Sequence, residues 1–266
     1  MPKLKTDEEK FRGLRRFNAA MFVLHFVQAI LLLIITYMVI GQDVSLPVKS
    51  YFLTDFDPVT QTVSGVEETL FSLPLAPLVA GFLFFSAFDH LLIAGPLYKR
   101  YEAGLRKGHN YFRWYEYAFS SSLMIVVISM LVGIYDVAAL IAIASINACM
   151  NLFGLLMEKL NQYTDKVDWT AYIYGTFAGL IPWLAIAIYL FGAGSTGQMP
   201  DFVYWIFLTI AIFFFTFAFN MVLQYKRWGK WKDYLFGERV YIILSLVAKT
   251  ALAWQVWAGT LAPLGG

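Results

Sequence analysis

Seven long apolar stretches dominate this sequence, and they decide the solvent it folds in. They run approximately over residues 17–40, 73–97, 105–132, 137–157, 170–191, 202–225 and 240–261. A membrane-crossing helix needs about 20 mostly apolar residues, and each stretch supplies them between charges, glycines or prolines. The third is the least clean, because Arg113 and Glu116 lie near its start, and its helix is expected to begin near Leu105. Only 14% of the residues are charged, against about 25% in a soluble domain, so most of the surface never meets water. The sequence therefore predicts an all-α membrane protein: a single domain over residues 1–266, folded as a seven-transmembrane-helix bundle in membrane lipid. The first run is longer than a signal-peptide core and no small-residue cleavage site follows it, so it reads as a retained helix.

The loops settle the expected sidedness. Eighteen of the 20 basic residues fall in the N-terminal segment and the even-numbered loops, among them Lys3, Lys5, Arg12, Lys99, Arg113, Lys226 and Arg239; the other side has Lys49 alone, and Lys249 lies inside a span. Lys and Arg concentrate on the cytoplasmic side of membrane proteins. This places the N-terminus in the cytoplasm and the C-terminus outside, in a multi-pass protein of the cell (plasma) membrane. The long first outside loop, residues 41–72, contains two alternating segments, 50–56 and 60–66, around Asp57-Pro58. That pattern predicts a short extracellular β-hairpin.

Few ionisable groups remain within the spans: Glu116, Lys249, His25, His90 and Asp89. A Lys or Asp at bilayer depth costs roughly 2.5–3.5 kcal/mol on insertion scales, and such groups face the bundle interior and pair. Lys249 has more than ten apolar residues after it and no charged neighbour on its own helix, so snorkelling explains it poorly. A functional amine fits better, either in a salt-bridge switch or as an imine-forming lysine. Glu116 is its natural partner, since both sit at similar expected depth on helices that run in the same direction. Ser120 is one turn from Glu116. Ser86 and His90 share a face of the second helix, and with His25 they are expected to cluster on the cytoplasmic side of the pair. Asp89 points away from His90 by about 100°, and its role stays open.

Other chemistry is absent. The histidine spacing gives no metal motif, and there is no nucleophile elbow, HExxH zinc motif, P-loop or glycine-rich dinucleotide turn. Nothing indicates an enzyme, and a net charge of +2 is too small to suggest a nucleic-acid partner. Cys149 reads as a small packed residue. Gly175 and Gly179 form a GxxxG pattern, suited either to packing within the monomer or to a dimer face.

Seven helices with a lone lysine in the seventh resemble the retinal-binding rhodopsins, and the inverted sidedness is similar to that of the heliorhodopsins. The likeness extends to local sequence: Phe112-Arg-Trp-Tyr-Glu116-Tyr-Ala-Phe-Ser-Ser-Ser122, Ile181-Pro-Trp183, and Gly237-Glu-Arg-Val-Tyr-Ile-Ile-Leu-Ser-Leu-Val-Ala-Lys249-Thr-Ala-Leu-Ala-Trp-Gln255. By this resemblance, Lys249 would carry all-trans retinal as a protonated Schiff base, with Glu116 as counterion. Ser121 and Ser245 match hydroxyls near the chromophore. Tyr117, Met124, Asn147, Met150, Trp183 and Phe214 would line its polyene and ring. His25, Ser86, His90 and Ser120 would form a polar cluster that accepts a proton. The resemblance further implies a light sensor with a slow photocycle and no net pumping. It also implies a homodimer through the fourth and fifth helices and the first outside loop. A cytoplasmic signalling partner would be needed but is not named by the residues. A light-driven ion transporter or channel, and a non-retinal protein with a structural ion pair, are the competing readings.

Overall fold

The computed structural model describes residues 7–196 and 199–265; Lys3 and Lys5 of the N-terminal basic group lie outside the described residues. Seven helices are long and apolar enough to cross a membrane. They are α1 (Asp7–Ile34), α2 (Leu75–Ala94), α4 (Tyr111–Leu131), α5 (Val137–Leu160), α6 (Thr170–Thr196), α7 (Asp201–Tyr225) and α8 (Tyr234–Val256), with the short α3 (Tyr98–Arg106) between α2 and α4. α1 packs on α2 and α8, α2 on α4, α4 on α5, α5 on α6, and α7 on α8.

The bundle inverts the usual soluble arrangement. Phe119 and Phe177 point outward at 64% and 67% exposure, whereas Arg113 and Lys249 are buried at 4% and 3%. Lipid solvates apolar side chains as well as a core does, so polar groups gain more from the interior. Helices meet the other demand of that solvent, because each satisfies its backbone polar groups internally. Cys149 is exposed on the outer face of α5, so the expectation of a packed cysteine fails: lipid offers a small apolar thiol no reason to turn inward.

The third span does not begin near Leu105. α3 stops at Arg106, Gly108 adopts φ 78°, and the chain restarts at Tyr111, where the Asn110 side chain accepts from the Arg113 amide at 3.3 Å. Glycine tolerates the left-handed turn and asparagine caps the new helix. Arg113, counted above as a loop cation, is therefore buried in the first turn of α4. The remaining loop cations keep the asymmetry.

The hairpin is longer than the two segments expected. β1 (Ser45–Asp57) pairs antiparallel with β2 (Thr62–Pro74), with register irregularities at Val48/Lys49 and Leu53/Asp55. Its base is tied to the bundle: the Lys49 amide donates to the Tyr135 carbonyl at 2.9 Å, the Leu75 amide to the Val44 carbonyl at 2.8 Å, and Leu46 and Val48 are buried. Residues 67–72 were expected in the outside loop beyond the second segment; backbone pairing, not side-chain alternation, extends the strand through them. At the tip, the Thr60 hydroxyl and the Val59 and Thr60 amides donate to the Asp57 carboxylate, which holds it below the ordinary aspartate range.

Candidate functional site

Lys249 sits in the middle of α8, and its side chain leans back toward the helix start, as long side chains on helices do. Its ammonium donates to the Ser245 hydroxyl at 2.8 Å, one turn earlier, and to Glu116 Oε1 at 3.0 Å. Glu116 comes from α4, and its side chain is 6% exposed. The expected equal depths are not what joins them. Glu116 lies little more than a turn into α4, whereas Lys249 lies about four turns into α8. The lysine reaches back along α8, past Ser245, to meet Glu116. The Ser86 hydroxyl on α2 donates to the same Glu116 oxygen at 2.6 Å, and the Tyr117 ring lies 5.2 Å from the ammonium. Each partner of this pair is solvated by the other and by fixed hydroxyls, as buried charges require.

The amine opens onto a cavity with about 990 Å³ of atom-free space, counting the part that reaches the surface. Of the residues expected around a chromophore, Lys249, Tyr117, Ser121, Met124, Met150, Phe214 and Ser245 line it. Asn147 and Trp183 do not. Asn147 stands behind the wall and donates to the Ser121 and Ser122 hydroxyls at 2.8 and 3.1 Å. Trp183 packs edge-on against Phe214, with ring centroids 5.5 Å apart. Asn151, one turn beyond Asn147, takes the lining position and also donates to Ser121. A rotation of α5 that the sequence pattern does not encode selects Asn151 over Asn147.

The GxxxG pattern is used within the monomer. A Cβ at Gly175 would sit 3.0 Å from Phe153 Cβ, and one at Gly179 would sit 2.6 Å from Met150 Sδ and 3.1 Å from the Phe214 ring. Gly179 thus keeps cavity space open that any larger residue would fill. Overpacking of this kind costs about 1–3 kcal/mol, which as lost ligand affinity is roughly 5- to 150-fold. Gly179→Leu is therefore expected to lower ligand affinity by that factor while the purified protein stays folded, as read by ligand titration beside a thermal unfolding curve.

The polar cluster assembles with one exception. The His25 and His90 rings stack at 5.7 Å with an interplanar angle of 11°, and Ser86, one turn before His90 on α2, bonds Glu116. Ser120 is fully buried, but its hydroxyl makes no bond to Glu116 and has no partner among the described residues. The cluster also extends further than expected. His90 Nδ1 lies 2.8 Å from Asn18 Oδ1, Asn18 donates to the Tyr101 hydroxyl at 3.4 Å, and Tyr101 donates to Glu238 at 3.2 Å.

That chain ends at an ion cluster the sequence did not reveal. Arg113 donates to both Glu158 and Glu238, and all three side chains are at most 4% exposed. Asn110 donates to Glu238 at 2.7 Å, and Tyr234 to Glu158 at 3.2 Å. The Arg113 guanidinium also lies over Tyr241 at 3.9 Å. All three charges sit at span ends, where loop and interior look alike in sequence. The available signal was weak: Glu238 and Asp233 are the two acids of a loop with five basic residues.

An apolar wall with an amine at one end, a carboxylate beside the amine and hydroxyls around it can hold a slender apolar carbonyl compound and keep a cationic nitrogen charged. The comparison with known proteins agrees. No curated protein matches the chain. The family model described as heliorhodopsin matches residues 14–261, nearly the whole chain. This multi-pass membrane protein belongs to the heliorhodopsin family.

Proposed function

We propose that the protein is a light sensor that holds all-trans retinal on Lys249. The observation that carries this reading is the Lys249–Glu116 contact of 3.0 Å at the polar end of a cavity otherwise walled by apolar side chains. Retinal has the matching chemistry, an aldehyde on a conjugated apolar chain, and when bound it supplies light absorption and a change of shape. The residues present fit it. Lys249 is the attachment amine, and Met124, Met150 and Phe214 supply apolar contact. Tyr117 and Ser121 line the same cavity near the amine. Gly154 lets the Trp114 ring pack against α5, and a Cβ at Gly179 would press on Met150 and Phe214 in the cavity wall.

The chain's own groups have separate tasks. Glu116 balances the nitrogen's charge in the resting state, and Ser86 and Ser245 hold the two partners in register. His25 and His90 stand beside them to receive a proton released toward the basic end of the bundle, where the network through Asn18 and Tyr101 keeps it inside. Among the described residues, no buried acid stands on the opposite, hairpin side of Lys249 to release a proton there: Asp136 caps α5 and Asp201 opens α7. This arrangement supports a slow cycle with internal proton movement and no net pumping. The basic end faces the cytoplasm in this reading and would signal to a partner there. The hairpin with α5 and α6 would form a homodimer in the plasma membrane.

An absorption spectrum of the purified protein given retinal, with a light-minus-dark difference, tests the proposal; a colourless wild type sinks it. Photocurrent or light-driven pH change in vesicles would instead favour the transporter reading. Glu116→Gln removes the charge that opposes the nitrogen and should move the absorption maximum to longer wavelength. An unchanged spectrum would mean that another group balances the charge.

A further inference from the structure

The interior contains more acid than base. Among the described residues, Lys249 and Arg113 are the buried cationic side chains. Lys249 is matched by Glu116, and Arg113 already serves two carboxyls, Glu158 and Glu238. Asp89, half-buried on α2, is a further carboxyl, and no cation among the described residues bonds it.

Asp89 lies on α2 one turn after Ser86, so the two occupy neighbouring positions on the helix surface, and Ser86 touches Glu116. The Asp89 side chain makes no hydrogen bond or ion pair with another described residue. It lines a second, small cavity of about 290 Å³ of atom-free space, counting any part that opens outward. The charged and titratable groups around that space are His90 from α2, Arg113, Glu116 and Tyr117 from α4, and Glu238 from α8. His25 of α1 stacks behind His90. The wall of the space is largely apolar, but these polar groups border it and can supply the two to four partners that an ordered water needs. One end of it is therefore the Lys249–Glu116 pair, and the other is the Arg113 cluster.

A bare carboxylate at Asp89 would face Glu116 and Glu238 across this cavity with no cation of its own. Unmatched charge at membrane depth is costly, and two nearby like charges add to that cost. A carboxylic acid avoids both costs. We propose that Asp89 is the interior's proton store: a neutral acid in the resting protein that exchanges its proton with Glu116 through the water of the small cavity. In the exchange an O–H bond breaks on Asp89 and one forms on Glu116, the negative charge moves the opposite way, and nothing is oxidised or reduced. Use of this proton after illumination rests on the retinal reading, whereas its presence does not.

The experiment is infrared spectroscopy of the retinal-free protein in lipid vesicles at neutral pH, with aspartate carboxyl carbons labelled with carbon-13. The wild type should show a carboxylic-acid carbonyl band that moves on labelling, disappears in Asp89→Asn and shifts in frequency in Glu116→Gln. The label shows on the wild type alone whether an aspartate is protonated, and the two variants, checked for folding by their unfolding curves, assign the band to Asp89. Absence of a label-sensitive acid band would place the surplus proton elsewhere, on His25 or His90, and overturn the store. A band that ignores Glu116→Gln would overturn the exchange. If the protein proves colourless with retinal but the Asp89 band is present, the store stands and only the photochemical reading falls.

Discussion

Replacing Lys249 by Ala or by Arg is expected to abolish all visible absorbance of the protein supplied with retinal. The two variants separate two roles of one side chain. Alanine removes both the attachment amine and the cation that matches Glu116. Removing one partner of a buried pair typically costs about 3–5 kcal/mol, so Lys249→Ala should also unfold at lower temperature. Arginine keeps a permanent positive charge that can bond Glu116, but its guanidinium does not form the imine that a lysine forms. Lys249→Arg should therefore be as colourless as Lys249→Ala while recovering much of the lost stability. The measurements are an absorption spectrum and a thermal unfolding curve on each variant. Residual visible colour in Lys249→Arg would show that the chromophore sits elsewhere. Equal stability of the two variants would show that the charge balance at Glu116 matters little.

Arg113→Gln should have the largest effect on stability of any single change at the basic end. The guanidinium bonds Glu158 on α5 and Glu238 on α8 from its place on α4, so one side chain joins three helices. It also packs on Trp114 and Tyr241, at 4.7 and 3.9 Å from the ring centroids. Without it two carboxyls remain buried with no cation between them, and the expected loss is about 3–5 kcal/mol. Adding Glu158→Gln and Glu238→Gln should restore most of that loss, because the penalty comes from unmatched acids rather than from the missing attraction itself. Unfolding of the single and triple variants in mild detergent checks this. If the triple variant is no better than the single, the stacking on Tyr241 and Trp114 carries the stabilisation instead. Absorbance should change little in either variant, since Glu116 keeps Lys249.

These expectations rest on residues that were not equally legible. The Lys249–Glu116 pair stood out because each group is costly in an apolar run, and cost does not depend on which way a helix is turned. The equal residue counts behind the expected pairing do not hold, because Asn110 caps α4 later and α8 starts earlier than the apolar pattern suggests; the lysine side chain reaches back to its partner. Ser86 and His90 were legible from their spacing of four. Ser120 has the same spacing from Glu116, yet its hydroxyl has no partner among the described residues, because a shared helix face does not ensure that two side chains meet. Asn147 and Asn151 show the same limit. Both lie on one face of α5, and only the seating of α5 against α4 decides which of them reaches the cavity.

The sequence by itself determined the solvent, the number of spans, the family and the identity of the buried amine. Those properties follow from run length, charge cost and local motif, all of which are read along one chain segment at a time. The tertiary structure decided what the charges at the span ends do, which glycines make room, and which polar groups connect. Arg113, Glu158 and Glu238 lie on three helices, and each looks like a loop residue in sequence. Their meeting depends on the axial offset and rotation of α4, α5 and α8 relative to one another. Packing across the whole bundle sets those quantities, and no single segment encodes them.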